Sequence, residues 1–325
     1  MRPSQLGKRA VFTLGIATAV GMFLVLVMGA TVTSTGSATG CGRDWPLCQG
    51  RFIPQFAVAT AIEFSHRAVT GVESLLVVAF AAGLLWLHRG QRPARALAAL
   101  MVGFLALQAG MGAWAVVQPQ DPLVLALHFG ISLIALASTA LAAAYTGRAE
   151  EIRNASPVPG GLRVATWGFL VYVYLLVYSG ASIRHLGIGP ACPGWPLCSG
   201  TGTATPEALA INLAHRSAAG LAVVLAAALL AAYVRLGGHR RDLVTAGALL
   251  VTALLAQGAA GAYLVLSRWD LFGELLHAAM TGVVFTTAAY LCMRVALQAP
   301  AGAASVVGER GLGRPGRFEA PAQGR

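Results

Sequence analysis

Charged side chains are scarce in this sequence of 325 residues: they make up 11% of it, against about a quarter in a typical soluble protein. Hydrophobic residues make up 57%, and the mean hydropathy is +0.69. This composition excludes a secreted globular enzyme and a disordered chain. Only 12 side chains are acidic, so the net charge is +11. In a nucleic-acid-binding protein this positive charge would form a patch that faces a groove of the nucleic acid. The composition excludes that class as well.

Uncharged stretches of 25 residues or more occur at 10–42, 96–120, 122–147 and 243–267. Each is longer than a helix in the core of a soluble protein needs to be. Each is also long enough to span a membrane, because roughly 20 apolar residues cross a bilayer core of about 30 Å. The sequence therefore predicts an all-α integral membrane protein with eight transmembrane helices. The predicted spans lie near 10–33, 57–87, 94–118, 122–146, 163–184, 206–235, 242–267 and 270–297. The first follows a basic leader, but it exceeds the apolar core of a signal peptide and is kept as a helix.

The basic residues predict the orientation in the membrane. Of 23 such residues, 17 fall in alternate segments between the spans, and the positive-inside rule places these segments in the cytoplasm. We expect a multi-pass protein of the cell membrane with both termini cytoplasmic. The loops at 34–56, 119–121, 185–205 and 268–269 are then outside. Residues 299–325 are rich in Gly, Ala, Pro and Arg and are predicted to form a flexible cytoplasmic tail.

The chain repeats itself with a period of about 150 residues. The segment from Cys41 to Cys48 resembles that from Cys192 to Cys198, and both contain Trp-Pro-Leu. Four helices return the chain to the same side of the membrane, so the halves are predicted to be parallel-related four-helix bundles. The predicted domains are residues 1–150 and 151–298, followed by the tail.

Four histidines lie inside the predicted spans: His66 and His128 in the first half, and His215 and His277 in the second. Each pair is 62 residues apart, and each histidine lies roughly 10 to 15 Å from the outer end of its helix. One such histidine would be explained by hydrogen-bonded packing, but four at equal depth favour ligands. Two imidazoles on facing helices supply the axial positions of a haem iron.

The other histidines, His88, His185 and His239, lie at helix ends or in loops and are expected to be interfacial or solvated. A zinc site would need four ligands, and a non-haem iron site would need a carboxylate beside two histidines. Glu63 provides that carboxylate in the first half only, since Asn212 is at its repeat position. Haem therefore explains both pairs of histidines, whereas a metal triad explains one.

Glu63 lies one helical turn before His66, on the same helix face. A carboxylate beside a haem can accept a proton or stabilise developing positive charge, but an ion pair with Arg67 or Arg216 is the structural alternative. We expect only the first half to place a carboxylate one turn from its histidine. Glu73, deeper in the same span, is a weaker candidate for a proton path.

Arg67 and Arg216 directly follow two of the histidines. Their guanidinium groups suit haem propionates at the outer edge of the bundle, and snorkelling to lipid headgroups is an equal alternative.

The cysteines indicate a non-cytoplasmic location for two loops, where disulfides can form. Proximity favours Cys41–Cys48 and Cys192–Cys198, although other pairings and a shared metal site stay open. Cys292 is interpreted as a small apolar residue of the last span.

These motifs resemble the haem A synthase family (COX15/CtaA), in the eight-helix Gram-positive form. The resemblance covers nearly the whole chain. It is carried by the two cysteine loops, the Glu63-x-x-His66-Arg67 and His215-Arg216 motifs, His128 and His277.

The resemblance implies an oxidoreductase that converts the C8 methyl of haem O into the formyl group of haem A by successive hydroxylations. It implies that His66 and His128 hold the substrate haem O, that His215 and His277 hold the iron of a resident haem B, and that Glu63 is catalytic. The implied partners are haem O synthase and the assembly of a haem-copper oxidase, within the lipid bilayer.

Two other classes are compatible with parts of the pattern. A di-haem electron-transfer protein of cytochrome b561 type needs the histidines but no catalytic carboxylate, and it usually carries haems near both membrane faces. A transporter is compatible with parallel repeats and buried charge, but it leaves the four histidines unexplained.

Overall fold

The computed structural model describes residues 4–55, 57–117, 121–199 and 204–297. The predicted tail and most of the outer turn at 119–121 lie outside these residues. The described part of the chain contains eight long α-helices and no named strand. They are α1 Gln5–Ser34, α2 Val58–Leu87, α3 Arg92–Val117, α4 Pro122–Arg153, α5 Gly160–His185, α6 Pro206–Arg235, α7 Arg241–Leu266 and α8 Leu271–Ala296. All eight are long and apolar enough to cross a membrane.

Polar residues cap the N-terminal ends of four helices, three of which begin close to the predicted positions. Ser4, Thr205 and Asp270 each accept a backbone N–H from the first turn of the helix that follows, and so does Asp121, before Pro122. The observed bounds differ from the predicted spans by at most three residues, except that α1 begins five residues earlier and α4 ends seven residues later. These extensions hold charged residues, which can stay helical beyond the apolar core of a bilayer.

Most contacts between helices lie within one half of the chain. In the first half α1 contacts α2 and α4, and α3 contacts α2 and α4; in the second half α5 contacts α6 and α8, and α7 contacts α6 and α8. The halves meet where α8 packs on α1 and α4 and where α4 packs on α5. Helices α4 and α8 are therefore the most buried spans. The parallel relation of the halves stays a prediction.

Apolar side chains also cover the outside of the bundle. Leu75, Val164, Leu175 and Val224 are all more than half exposed. Such a belt is costly in water and favourable in hydrocarbon, as expected of a membrane-spanning bundle.

An ionic cluster joins α4, α7 and α8 at the end of the bundle that carries the α4–α5 turn. Asp242 pairs with Arg240 at 3.0 Å and with Arg294 at 2.8 Å, and Arg294 also contacts Glu151 at 2.9 Å. Arg240 and Arg294 are only 2% and 1% exposed. Two of the basic residues that predicted the topology are thus buried structural cations.

Candidate functional site

The four intramembrane histidines all lie near the end of the bundle that carries the two cysteine loops, which we call the loop end. His66 and His215 lie eight and nine residues after the first residues of α2 and α6, and His128 and His277 lie six residues into α4 and α8. At 1.5 Å per residue these depths are about 9 to 14 Å. His215 and His277 line the same cavity in the second half, and His66 and His128 lie on the matching helices, α2 and α4, of the first half. The four histidines are thus arranged as two pairs, one in each half.

Each histidine faces a glycine on a neighbouring helix. A Cβ atom added to the glycine would lie 2.9 to 3.4 Å from the imidazole Cε1 atom, so any larger residue would crowd the ring. The facing pairs are Gly29 with His66, Gly112 with His128, Gly180 with His215, and Gly261 with His277. Gly112 and Gly261 lie in a further pair of similar segments, 108–113 and 257–262, which both begin with Gln and end with Gly-Ala. The roles of Gly29 and Gly180 were not predicted. Their signal in the sequence is a shared Gly-Ala near the end of α1 and α5.

A cavity of about 660 Å³ lies between α5, α6, α7 and α8. His215 and His277 both line it, among mainly apolar side chains such as Val173, Val177 and Leu254. This volume and lining are typical of sites for organic ligands or cofactors. Two imidazoles in an apolar cavity between helices are the donor set of a bis-histidine haem, so the residues fit that group.

The two pairs differ in their hydrogen bonds. His215 Nδ1 lies 2.8 Å from the Ser179 hydroxyl, and the Gln257 amide nitrogen lies 3.3 Å from Nδ1 and 3.2 Å from Nε2 of His277. In the first half, Nδ1 of His66 and Nδ1 of His128 are buried and have no hydrogen-bond partner among the described residues. The second pair is therefore held by its surroundings more firmly than the first.

Glu63 is 3% exposed and joins α2 to the first cysteine loop. Its carboxylate accepts the backbone N–H of Cys41 at 2.7 Å and forms an ion pair with Arg67, one turn further along α2. The ion pair that the sequence offered as an alternative is thus present. At the repeat position, Asn212 instead donates to the Ile188 and Ala208 carbonyls at 2.9 and 2.8 Å.

Arg67 and Arg216 hold the two loops. Arg67 donates to the carbonyls of Asp44 and Leu47 at 2.7 and 2.8 Å. Arg216 donates to three carbonyls, those of Cys192, Gly194 and Pro196. Arg216 also lines the cavity. The described contacts give both arginines a role in loop packing, and propionate binding stays a prediction.

The cysteines form the two local disulfides, Cys41–Cys48 and Cys192–Cys198. The described residues contain no group of three or more His, Cys, Asp or Glu side chains placed to hold a metal ion, so neither a shared cysteine site nor a Glu63 triad is formed. Cys292 is buried, as expected of an apolar residue, with Sγ 3.5 Å from the Thr166 carbonyl.

The expectation that only the first half has a carboxylate one turn from a histidine is wrong. Glu274 precedes His277 by three residues in α8, the same spacing as Glu63 and His66. It lines the cavity and forms an ion pair with Arg184 of α5 at 3.2 Å. The comparison of aligned repeat positions missed Glu274 because it is on the fourth helix of its half rather than the second. A search for Glu-x-x-His would have found it.

Arg184 also connects the two halves. Besides Glu274, the same guanidinium nitrogen contacts the Ala30 carbonyl at 3.3 Å, the Thr33 hydroxyl at 3.1 Å and the hydroxyl of Ser34. These residues form the end of α1, where Gly29 faces His66. Nothing in the sequence predicted this contact. The repeat comparison does not single out Arg184, because the residue at its repeat position is the uncharged Thr33.

Two other histidines lie at helix ends and are half-buried. His185, the last residue of α5, lines the cavity. His88, at the other end of α2, packs on the Tyr145 ring with centroids 5.2 Å apart. Burial lowers the pKa of His88 from its usual value, and Arg153 and Lys8 lower it further. The His239 side chain lies outside the described residues.

Glu73 is 3% exposed and faces Gly21 of α1. Its Oε1 atom is buried without a hydrogen-bond partner in the described part of the chain. Its role in a proton path stays a prediction.

Comparison with known proteins gives consistent matches. The model of the COX15-CtaA family, described as cytochrome oxidase assembly protein, matches residues 53–289. A heme A synthase of Symbiobacterium thermophilum is 40% identical over 296 residues, which cover 87% of this chain and 95% of the relative. A heme A synthase of Exiguobacterium sibiricum is 42% identical over 83% of this chain and 90% of its own. That of Bacillus licheniformis is 37% identical over 89% and 97%.

Proposed function

The chain belongs to the COX15-CtaA family of cytochrome oxidase assembly proteins, and from this membership we propose that it is a membrane enzyme that converts haem O into haem A. Relatives named heme A synthase match it over more than four fifths of its length. The observation that carries the proposal is the Glu63 carboxylate, which is buried one turn from His66 and linked to the first disulfide loop. The matching names do not favour an electron carrier.

In the proposed reaction the first half, residues 1–150, holds the substrate. His66 and His128 bind haem O. In each of two successive steps the C8 methyl carbon gains a hydroxyl group from water, while two electrons pass to an external electron acceptor and two protons are released. The first step gives the alcohol and the second gives the hydrated aldehyde, which loses water. The Glu63 carboxylate accepts protons released at the methyl group or stabilises positive charge there. Arg67 orients this carboxylate through their ion pair.

The second half, residues 151–298, is proposed to hold a resident haem B between His215 and His277. When bound, haem B supplies an iron that can accept and pass on electrons. The cavity of about 660 Å³ and its two imidazoles support this assignment. Arg184 and Arg216 also line the cavity and provide cations for propionates.

We propose that the loop end faces outward across the cell membrane and that both termini are cytoplasmic. The 17 basic residues in alternate segments support this orientation. In this orientation both disulfides are on the oxidising side. The proposed partners are haem O synthase, as supplier of the substrate, and a haem-copper oxidase during its assembly. Reporter fusions after residues 91 and 238 test the topology, and a reporter active only outside the cytoplasm must be silent at both.

The activity is tested by expressing the full chain with a haem O synthase and analysing extracted haems by mass spectrometry. The native chain should produce haem A or its alcohol intermediate. The Glu63→Gln variant should convert haem O about 100-fold more slowly or worse, which is the range for loss of a general base. Asn212→Asp, at the repeat position, is the matched control and should leave conversion in the first half intact. Unconverted haem O with the native chain and all partners present would refute the enzyme proposal.

The ligand assignment is tested separately, because it does not depend on turnover. His215→Ala or His277→Ala should remove the low-spin haem spectrum of the purified protein. His66→Ala or His128→Ala should retain it and lose haem O binding. Retention of all haem when the four histidines are replaced together would refute the assignment.

A further inference from the structure

Ser179 distinguishes the environment of His215 from that of His66. It lies in α5 beside Gly180, the glycine that faces the His215 ring. Its hydroxyl oxygen is 2.8 Å from His215 Nδ1 and 2.7 Å from the Leu176 carbonyl one turn earlier. Both distances are those of good hydrogen bonds.

The hydroxyl has one proton, which determines the tautomer of His215. Leu176 offers only a carbonyl oxygen, so the Ser179 hydroxyl donates its proton there. The oxygen then accepts a hydrogen bond, and His215 Nδ1–H must be the donor. With the proton on Nδ1, the Nε2 lone pair is available to a metal. A hydrogen bond to the distal nitrogen in this way fixes the ring and increases its basicity as a ligand.

The first half lacks this hydrogen bond. Gly29 faces His66 as Gly180 faces His215, and the residue before Gly29 is Met28. A thioether cannot donate and accepts only weakly. Consistent with this difference, His66 Nδ1 is buried and has no hydrogen-bond partner among the described residues.

We propose that Ser179 is a positioning residue that secures His215 as a permanent haem ligand, and that Met28 leaves His66 free to exchange haem. The inference rests on the proposed function, since it takes His215 and His277 as the ligands of the resident haem. It also gives a physical reason for the division of labour: a substrate site must release its product, and a cofactor site must not. When a histidine that binds a metal loses the hydrogen bond to its other ring nitrogen, metal binding typically weakens by about 10- to 100-fold.

The test uses the full chain purified in lipid nanodiscs and follows haem transfer to excess apomyoglobin. Ser179→Ala should lose haem from the second half about 10- to 100-fold faster than the native chain. Its haem should also show altered low-spin electron paramagnetic resonance and a more positive midpoint potential, because the imidazole donates less charge to the iron. Ser179→Thr, which keeps the hydroxyl, should restore all three properties.

Ser65→Ala is the matched control. Ser65 is next to His66, and its hydroxyl also bonds a carbonyl three residues earlier, that of Ile62 at 3.0 Å, but it is exposed and has no hydrogen bond to a histidine among the described residues. This variant should behave as the native chain. If Ser179→Ala keeps native haem loss, spectrum and potential while His215→Ala loses its haem, the role of Ser179 is refuted and the proposed function stands. If His215→Ala keeps its haem, the resident site itself is misassigned and both proposals fail there.

The reverse change leaves the second half untouched, so it remains informative if Ser179→Ala does not fold. Met28→Ser places a hydroxyl at the equivalent position of α1. It should slow the transfer of haem A from the first half to apomyoglobin by about tenfold, the lower end of the effect of such a contact. An unchanged release rate would overturn the role given to Met28.

Discussion

The carboxylate of Glu63 accepts a hydrogen bond from the backbone N–H of Cys41 at 2.7 Å, so the candidate catalytic group is bonded to a disulfide cysteine. The Cys41–Cys48 bond holds this loop closed over the buried carboxylate. Arg67 strengthens the arrangement, because it bonds both Glu63 and two carbonyls of the loop. We therefore expect the chemistry proposed for the first half to depend on the redox state of these cysteines.

Removal of the first disulfide should impair catalysis more than folding. In a Cys41→Ser, Cys48→Ser double variant we expect haem A formation to fall about tenfold, which corresponds to about 1.4 kcal/mol and to the loss of one buried hydrogen bond. The resident haem spectrum should persist. The matched control is the Cys192→Ser, Cys198→Ser variant, since the Cys192 N–H bonds the Gly189 carbonyl and not a carboxylate. Equal losses in both variants would contradict a specific link to Glu63.

Glu274→Gln should change the resident haem without abolishing conversion. Glu274 lies one turn from His277 and pairs with Arg184, so its removal leaves more positive charge beside the iron. We expect a more positive midpoint potential in a spectroelectrochemical titration, with haem A still formed. Loss of conversion as severe as in Glu63→Gln, at an unchanged potential, would show that the roles of the two halves are reversed.

Asp242→Asn should destabilise the fold. Asp242 pairs with two arginines that are almost completely buried, and removal of one partner of a buried charge pair costs about 3–5 kcal/mol. The unfolding temperature in detergent should therefore drop clearly. Glu151→Gln is the control, because the Glu151 side chain is 54% exposed and its pair with Arg294 should contribute about 1 kcal/mol or less. Similar losses for the two variants would argue against a buried cluster.

His88 should make stability dependent on pH. Its pKa is lowered in the folded state by burial and by nearby Arg153 and Lys8, so folding favours the neutral ring. The resulting contribution is present above the unfolded pKa of about 6.5 and is lost as the pH falls through and below that value. Unfolding temperatures measured between pH 7.5 and 5.5 should fall less steeply in His88→Gln than in the native chain. Parallel curves would mean that His88 is not responsible.

The sequence by itself determined the membrane-spanning all-α fold and the four histidines that mark the candidate site. Hydrophobic stretches without charge fix the helices, because each must satisfy its backbone hydrogen bonds internally to cross a bilayer. The repeat offset selected His66, His128, His215 and His277 from seven histidines, since four imidazoles at matched positions inside membrane spans are costly unless they bind something.

Only the tertiary structure decided the contacts between residues distant in sequence. Glu63 bonds Cys41, Arg184 reaches Glu274 and the end of α1, and the Ser179 hydroxyl contacts His215. A periodic pattern shows which face of a helix a residue is on, but not which helix lies opposite or where a hydroxyl proton goes. Those depend on how the helices pack, and here packing gave two similar histidine pairs different hydrogen bonds.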